Sequence, residues 1–173
     1  MQDAIISVAD LMDGAASEAE ARIGIKETAP NSGPDVDLFL AAVGLPPGQS
    51  WCAALVHFCY RVASAKLSTV NPCPRTGGCL RMWALAEPQW KTNVARRGAI
   101  YVLDHQHGLG HVGIVTEVDA AGNVVSEISG NTNAAGSREG NCIAQHFGPP
   151  EKSHRGTLMG FLDFSIAAAP LVA

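Results

Sequence analysis

The chain has 173 residues and a mass of 18.0 kDa, which is the size of one domain, so we predict a single domain over residues 1–173. Hydrophobic residues make up 47% of the chain and charged residues only 16%, and this composition excludes intrinsic disorder. A net charge of −4 with 6% aromatic residues lacks the basic, base-stacking surface of a nucleic-acid-binding protein. We therefore expect no nucleic acid among its partners.

The N-terminus and the apolar segments bear on where the protein acts. No apolar stretch approaches the roughly 20 residues of a membrane-spanning helix, so we expect no membrane insertion. The N-terminus carries Asp3 and Asp10 and no basic segment, which is unlike a signal peptide. We expect synthesis in the cytoplasm, with delivery by a route that needs no such signal if the protein acts outside.

The first half of the chain predicts helices. Helical spacing of apolar residues covers 2–24, a second helix follows over 35–43, and a short one covers 80–86. The segment 50–63 contains no Gly or Pro and is apolar nearly all round, which predicts a buried central helix. Ser50 is the expected N-cap of this helix.

The second half predicts strands, over 99–103, 111–118, 123–128 and 160–164. Residues 119–123 (Asp-Ala-Ala-Gly-Asn) are typical of a hairpin turn. Helices followed by strands indicate an α+β fold in which the buried helix packs on an antiparallel β-sheet. The last residues, 165–173, are expected to be a short tail.

The five cysteines leave at least one thiol outside any internal disulfide. No two cysteines have the C-x₂-C spacing of a zinc site, so no metal is expected. Cys73 and Cys79 flank a turn-rich segment. They form a bridge in an oxidising compartment or remain two reduced thiols in a loop.

Cys52 is the candidate nucleophile because the predicted central helix begins just before it. The positive end of the helix dipole and the unpaired N–H groups of the first turn favour a thiolate. The alternative is a small core residue, since cysteines are often buried. Cys59 lies seven residues later among apolar neighbours and is expected to be such a core residue.

A cysteine nucleophile needs a base, and His111 is the candidate because it opens a predicted strand after two glycines. The other five histidines are expected at the surface. Glu127 and Asn131 lie on one face of the next strand while it stays regular, and the hairpin returns its far end beside His111. Either residue is a candidate for orienting the imidazole, and the alternative is that residues 129–133 only form a turn.

Four segments resemble those of CHAP domains, which are cysteine amidohydrolases and peptidases of the NlpC/P60, papain-like superfamily. They come in the family's order: 33–37 (Gly-Pro-Asp-Val-Asp), 51–54 (Trp-Cys-Ala-Ala), 108–115 (Gly-Leu-Gly-His-Val-Gly-Ile-Val) and 129–133 (Ser-Gly-Asn-Thr-Asn). The resemblance spans about residues 20–163. It implies a papain-like fold, Cys52 as nucleophile, His111 as base and Asn131 as the third member. Ser129 stands where many CHAP domains carry a Glu, so Glu127 is the alternative third member.

The resemblance implies a peptidoglycan hydrolase that cuts an amide bond, as an N-acetylmuramoyl-L-alanine amidase or a peptide endopeptidase, without a cofactor. Some CHAP domains bind calcium through an Asp-x-Asp segment, but Asp35 and Asp37 are better explained as the first turn of a helix. A phage lysin and a delivered antibacterial effector both fit, and an effector would have an immunity or inhibitor protein as a partner. The alternatives are a cytosolic amidase of γ-glutamyl or polyamine amides and a non-catalytic module that binds cell wall.

Overall fold

The structure is a computed structural model, and it describes residues 8–133, 135–136 and 140–166. Within these residues the α-helices are α1 (Val8–Glu20), α2 (Pro34–Ala42), α3 (Cys52–Lys66), α4 (Cys79–Leu85) and α5 (Pro150–His154). The β-strands are β1 (Lys91–Thr92), β2 (Ile100–Gln106), β3 (Leu109–Val118), β4 (Val124–Thr132), β5 (Cys142–Phe147) and β6 (Thr157–Leu162). Two 3₁₀ turns cover Pro88–Trp90 and Phe164–Ile166.

All six strands form one antiparallel sheet with the order β1-β6-β2-β3-β4-β5. Tight hairpins join β2 to β3 and β3 to β4, so these three central strands are neighbours both in the chain and in the sheet. In the second hairpin, the backbone N–H of Asp119 bonds the carbonyl of Asn123 at 2.9 Å, which confirms the predicted turn. The fold is therefore the predicted α+β arrangement.

The central helix α3 packs on strands β3 and β4 and is flanked by α1 and α2. Most of its side chains are buried, as its apolar sequence predicts. The Tyr60 hydroxyl donates a 2.6 Å hydrogen bond to the carbonyl of Gly98, which anchors the helix to the start of the sheet. Gly98 cannot carry a side chain here, because an added Cβ would lie 2.3 Å from the carbonyl oxygen of Met12.

Two predicted helix boundaries are wrong. The first helix ends at Glu20 instead of residue 24, since the chain turns over residues 21–24 and Gly24 takes a φ of 88°. Its predicted residues 2–7 lie outside the described residues, as do residues 167–173 of the expected tail. Trp51, not Ser50, occupies the N-cap position of α3, and no side chain caps this helix. The buried Trp51 indole instead donates a 2.7 Å hydrogen bond to Glu27, which fixes the helix start.

Three elements lie outside the predicted set. Strand β1 has two residues, helix α5 has five residues and begins directly at Pro150, and β5 has no clear apolar alternation. Strand β1 and helix α5 have too few residues for a period to be visible, and β5 is missed because its residues do not alternate. Strand β5 and helix α5 nevertheless contribute to the site described next.

The described residues contain no helix that combines the length and hydrophobicity needed to cross a membrane.

Candidate active site

Cys52 is the first residue of α3 and is 3% exposed. Its sulfur lies 3.3 Å from the sulfur of Cys79, and this contact is the largest cause of a pKa well below that of an ordinary thiol. Burial opposes the shift, while the neighbouring His111 imidazole and the backbone N–H of Ala53 lower the pKa further. Cys52 is thus a thiol whose surroundings favour the thiolate.

Cys59 is the internal contrast on the same helix. It is fully buried, and desolvation raises the pKa of its thiol to about 12. The prediction that Cys59 is a core residue is therefore confirmed. The pKa values of the two thiols differ because Cys59 lies about two turns along the helix from its N-terminus, among core residues.

His111 lies on β3 opposite Leu103 of β2 and is fully buried. Its ring is near enough to Cys52 to lower the pKa of the thiol, yet neither ring nitrogen has a partner of ordinary hydrogen-bond geometry among the described residues. The ring packs against His154, with centroids 4.4 Å apart, and more distantly against Tyr101 at 6.2 Å. The structure thus brings together the predicted nucleophile and the predicted base.

Behind His111 lies a buried polar cluster centred on Glu127, which is fully buried on β4. One carboxylate oxygen is 2.8 Å from Nε2 of His154 and 3.0 Å from Nδ1 of His146. The other oxygen accepts a 2.8 Å hydrogen bond from the Tyr101 hydroxyl. Both oxygens are therefore engaged by residues other than His111. We refer to Glu127, Tyr101, His146 and His154 as the Glu127 cluster.

Strand register and one glycine build this cluster. Glu127 of β4 and His146 of β5 are direct cross-strand partners. Tyr101 of β2 stands opposite Gly113 of β3, and a Cβ on Gly113 would lie 2.6 Å from the Tyr101 hydroxyl. Because Gly113 has no side chain, the phenol reaches across β3 to the carboxylate on β4.

The Glu127 cluster holds a carboxyl group and two imidazoles away from water. Burial by itself would raise the pKa of Glu127, but the interactions with His146 and His154 outweigh it and lower the pKa to about 2. For His146, contact with Glu127 overcomes desolvation and raises the pKa, and its other nitrogen lies 2.7 Å from the carbonyl oxygen of Asn133. Both nitrogens of His146 thus lie near oxygen atoms. Burial lowers the pKa of His154, despite its contact with Glu127.

The same donor set bears on metal binding. The donor atoms of Glu127, His146 and His154 all lie within 4.8 Å of one another, and these are residue types that bind zinc. The carboxylate forms a hydrogen bond with His154 and lies 3.0 Å from Nδ1 of His146, so these donor atoms already contact one another in the structure. Asp37, in contrast, lies in the first turn of α2, as the sequence predicts. Its carboxylate accepts hydrogen bonds from the Ser32 hydroxyl and from the N–H of Gly33.

Asn131 lies near the end of β4 in a left-handed conformation, with φ 54°. The pairing of β4 with β5 shifts register between Ser129 and Thr132, so the predicted regular alternation of Glu127, Ser129 and Asn131 breaks there. Just before it, Gly130 approaches Trp51 so closely that an added Cβ would lie 2.4 Å from the indole ring. This approach places Asn131 in the same pocket as Cys52. Glu127 is not among the residues that line this pocket.

That pocket is a surface cleft at the N-terminal end of α3. Its lining residues come from four separate segments: Ser50, Cys52, Gly77, Cys79, Gly108, Leu109, Gly110 and Asn131. A second pocket shares Ser50 and Asn131 with it and extends past Glu27, Asn31 and Gly140. The two together form a groove in which a chain-like substrate can lie across the cysteine.

Several residues of this region were not predicted. His146 and His154 are buried, and so is His57, so the expectation that they lie at the surface is wrong. Tyr101 and Cys79 are also absent from the predicted site. Cys79 lies beside Cys52 and no disulfide joins any of the five cysteines, so the structure shows no Cys73–Cys79 bridge. For this region of the molecule, the sequence indicated only the buried helix and the positions of some strands.

A buried helix that starts with a cysteine and packs on an antiparallel sheet places the protein in the papain-like α+β class of folds. The family model for the CHAP domain matches residues 44–131, slightly more than half of the chain, and the chain belongs to this family. CHAP domains are a family of amidases and peptidases of peptidoglycan. Comparisons with curated proteins and with solved structures found no match.

The matched segment contains Cys52, His111, Glu127 and Asn131, but it ends before His146 and His154. The family match therefore does not extend to two members of the Glu127 cluster.

Proposed function

We propose that this protein hydrolyses an amide bond of peptidoglycan with Cys52 as nucleophile and His111 as general base and acid. The observation that carries the proposal is the Cys52 thiol itself, which combines a lowered pKa, a neighbouring buried imidazole and a position in an open groove. The family supplies the substrate class, and the bond is that of an N-acetylmuramoyl-L-alanine amidase or a peptide endopeptidase.

The first half of the reaction forms an acyl-enzyme. The Cys52 thiolate attacks the amide carbonyl, and the resulting oxyanion lies near the start of α3, where backbone N–H groups have no partner within the helix. His111 then donates a proton to the leaving amine, so the C–N bond breaks and a thioester remains. In the second half, water attacks the thioester with His111 as the base, and the thiolate is regenerated.

Asn131 is the proposed third member, because it reaches the cleft that contains Cys52. The ring nitrogens of His111 have no hydrogen-bond partner among the described residues, so we propose that the Asn131 side chain forms its orienting hydrogen bond with the ring in the substrate complex, without contributing a full charge. Glu127 is the weaker alternative, because both of its oxygens are already engaged by Tyr101, His146 and His154. We assign the Glu127 cluster a positioning role, in which the His154 ring supports the His111 ring from behind.

The biological setting is part of the proposal. A small hydrolase of this kind serves as a phage lysin or as an antibacterial effector delivered to the cell wall, where it acts on peptidoglycan or muropeptides. In the second case, a cognate immunity protein that covers the groove is the expected partner.

Digestion of purified peptidoglycan tests the proposal. Mass spectrometry of soluble fragments identifies the bond, since an amidase frees the lactyl carboxyl group of muramic acid and an endopeptidase frees a new amino terminus within the peptide. The protein should release one such product, and Cys52→Ala should release none. Binding of peptidoglycan without any fragments would indicate a cell-wall-binding module, and turnover of γ-glutamyl or polyamine amides alone would indicate a cytosolic amidase.

A further inference from the structure

Two thiols meet in the candidate active site. The sulfurs of Cys52 and Cys79 are 3.3 Å apart, both residues are buried, and both line the cleft. A disulfide bond requires a separation of about 2.05 Å, so closing the pair needs a shift of roughly 1.3 Å, which side-chain rotation and small backbone adjustments supply. The mechanism proposed above has no use for a second thiol at this position.

Cys79 is held in place by the packing around it. It is the first residue of α4, which packs on β2 and β3, and Leu80 lies so close to Gly110 that an added Cβ there would come within 2.9 Å of its side chain. Gly77, two residues before Cys79, lies against Leu45, where an added Cβ would be 2.3 Å away. The loop before α4 and the start of α4 are thus closely packed, and the Cys79 thiol lies against Cys52.

The remaining thiols are unsuited to the same reaction. Cys59 and Cys73 are buried with raised pKa values, and the pKa of Cys142 is also raised. The Cys73 sulfur contacts the carbonyl oxygen of Pro74. Among the five cysteines, Cys52 is therefore the thiol expected to react with an oxidant, and Cys79 is the thiol positioned to follow it.

We propose that Cys79 is a resolving cysteine, which forms a reversible disulfide with Cys52 after a peroxide has oxidised Cys52. In the first step the Cys52 thiolate attacks a peroxide oxygen, the O–O bond breaks, and hydroxide leaves from hydrogen peroxide, giving a sulfenic acid. In the second step the Cys79 sulfur attacks the sulfenic sulfur, the S–O bond breaks, and the hydroxyl leaves as water with the proton of Cys79. The two thiols together lose two electrons, which reduce the peroxide.

The bridge has two consequences for the protein. It occupies the sulfur of Cys52, so hydrolysis stops until a dithiol reductant restores both thiols. It also competes with further oxidation of the sulfenic acid to sulfinic acid, which ordinary thiols do not reverse. The first consequence rests on the proposed function, since it requires Cys52 to be the nucleophile, but formation of the bridge does not.

The test treats the reduced protein with hydrogen peroxide, blocks remaining thiols with iodoacetamide under denaturing conditions, and maps peptides without reduction. We expect a Cys52–Cys79 linked peptide, loss of two hydrogens from the intact mass, and hydrolysis that dithiothreitol restores. Cys73→Ser is the matched control and should form the same bridge. In Cys79→Ser, Cys52 should instead accumulate as sulfenic and sulfinic acid, and dithiothreitol should restore much less activity.

The outcomes separate the two proposals. A Cys52–Cys79 peptide from a protein that hydrolyses no peptidoglycan in its reduced form would overturn the proposed function and leave the resolving role intact. A protein that hydrolyses peptidoglycan but yields only singly oxidised Cys52, or a Cys73–Cys79 bridge, would overturn the resolving role. Peptide mapping of the wild-type protein decides this even if Cys79→Ser fails to fold.

Discussion

At the scale of single residues, the two cysteines of α3 differ in surroundings, although they lie on one helix. Cys52 contacts Cys79 and the His111 ring, whereas Cys59 is enclosed by the core. From this difference we expect Cys52 to be the thiol that reacts and Cys59 to contribute only to packing.

Cys52→Ala should reduce peptidoglycan hydrolysis by about 10³-fold or more, because the nucleophile is lost. Cys59→Ala should retain hydrolysis and lose on the order of 1 kcal/mol of unfolding free energy, since it leaves a small cavity in the core. Fragment release and urea unfolding measure the two effects. The assignment is wrong if Cys59→Ala inactivates a folded protein while Cys52→Ala remains active.

Cys79→Ala should raise the pKa of Cys52, because the contact with Cys79 is the largest cause of its lowering. The pH profile of iodoacetamide labelling reports this pKa, and its midpoint should move to higher pH in the variant. Cys142→Ala is the control, since Cys142 is absent from the cleft lining, and it should leave the profile unchanged. An unaltered profile in Cys79→Ala would assign the lowering to His111 and the helix start.

Asn131→Ala should reduce kcat by at least about tenfold, because the proposed orienting hydrogen bond to the His111 ring can no longer form in the substrate complex. Glu127→Gln should reduce kcat less, since both oxygens of Glu127 bind residues other than His111. It should instead lower stability, because the buried carboxylate that contacts Tyr101, His146 and His154 is replaced by a neutral amide. A larger kcat loss in Glu127→Gln than in Asn131→Ala, with the fold retained, would reverse these roles.

At the scale of secondary-structure elements, the contact between β4 and the start of α3 determines the geometry of the site. Gly130 lies against Trp51 and Leu55, and the register shift that follows turns Asn131 into the cleft. The sequence predicts a strand and a helix here, but neither pattern shows how closely the two approach.

Gly130→Ala should therefore damage both stability and activity. The new Cβ would lie 2.4 Å from the Trp51 ring and 2.8 Å from Leu55, so the helix start must move away from β4. Such overpacking costs about 1–3 kcal/mol, and the displaced Cys52 should hydrolyse peptidoglycan more slowly. Thermal unfolding and fragment release measure the two effects. A variant that matches the wild-type protein in both would show that the structure accommodates a Cβ at this contact without loss.

At the scale of the whole molecule, the buried charges of the Glu127 cluster join strands β2, β4 and β5 to helix α5. They link the stability of the fold to pH. Glu127 has a pKa of about 2 in the folded protein, below its ordinary value of 4.5, so its contribution is present above pH 4.5 and lost as the pH falls towards 2.

The unfolding free energy should therefore decrease by about 3 kcal/mol through this group between pH 4.5 and pH 2. His154, whose pKa is lowered, adds a loss in the same direction as the pH falls below its ordinary value of 6.5. His146 acts in the opposite direction: its raised pKa gives a contribution that is present below pH 6.5 and lost as the pH rises through the folded value. Denaturant unfolding at several pH values measures the slope, which should be shallower in Glu127→Gln; an equally steep slope in that variant would show that other carboxylates dominate.

Local patterns in the sequence determined much of this protein. The apolar segment without Gly or Pro predicts α3, and the Asp119–Asn123 turn predicts the β3–β4 hairpin. Cys52 and His111 stand out because each lies near the start of a predicted element. These features depend on residues close together in the chain, so their periodicity and turn chemistry are readable without the fold.

The tertiary structure alone decided which distant side chains meet. Glu127 faces His146 because β5 pairs with β4 in that register, and Cys79 lies against Cys52 because two helix starts converge on one cleft. Strand β5 and helix α5 are too short and irregular to show a period, so the sequence contained no visible signal for the histidines they contribute. Contacts of this kind depend on sheet register and helix packing, which are set by the whole core and not by the spacing of residues along the chain.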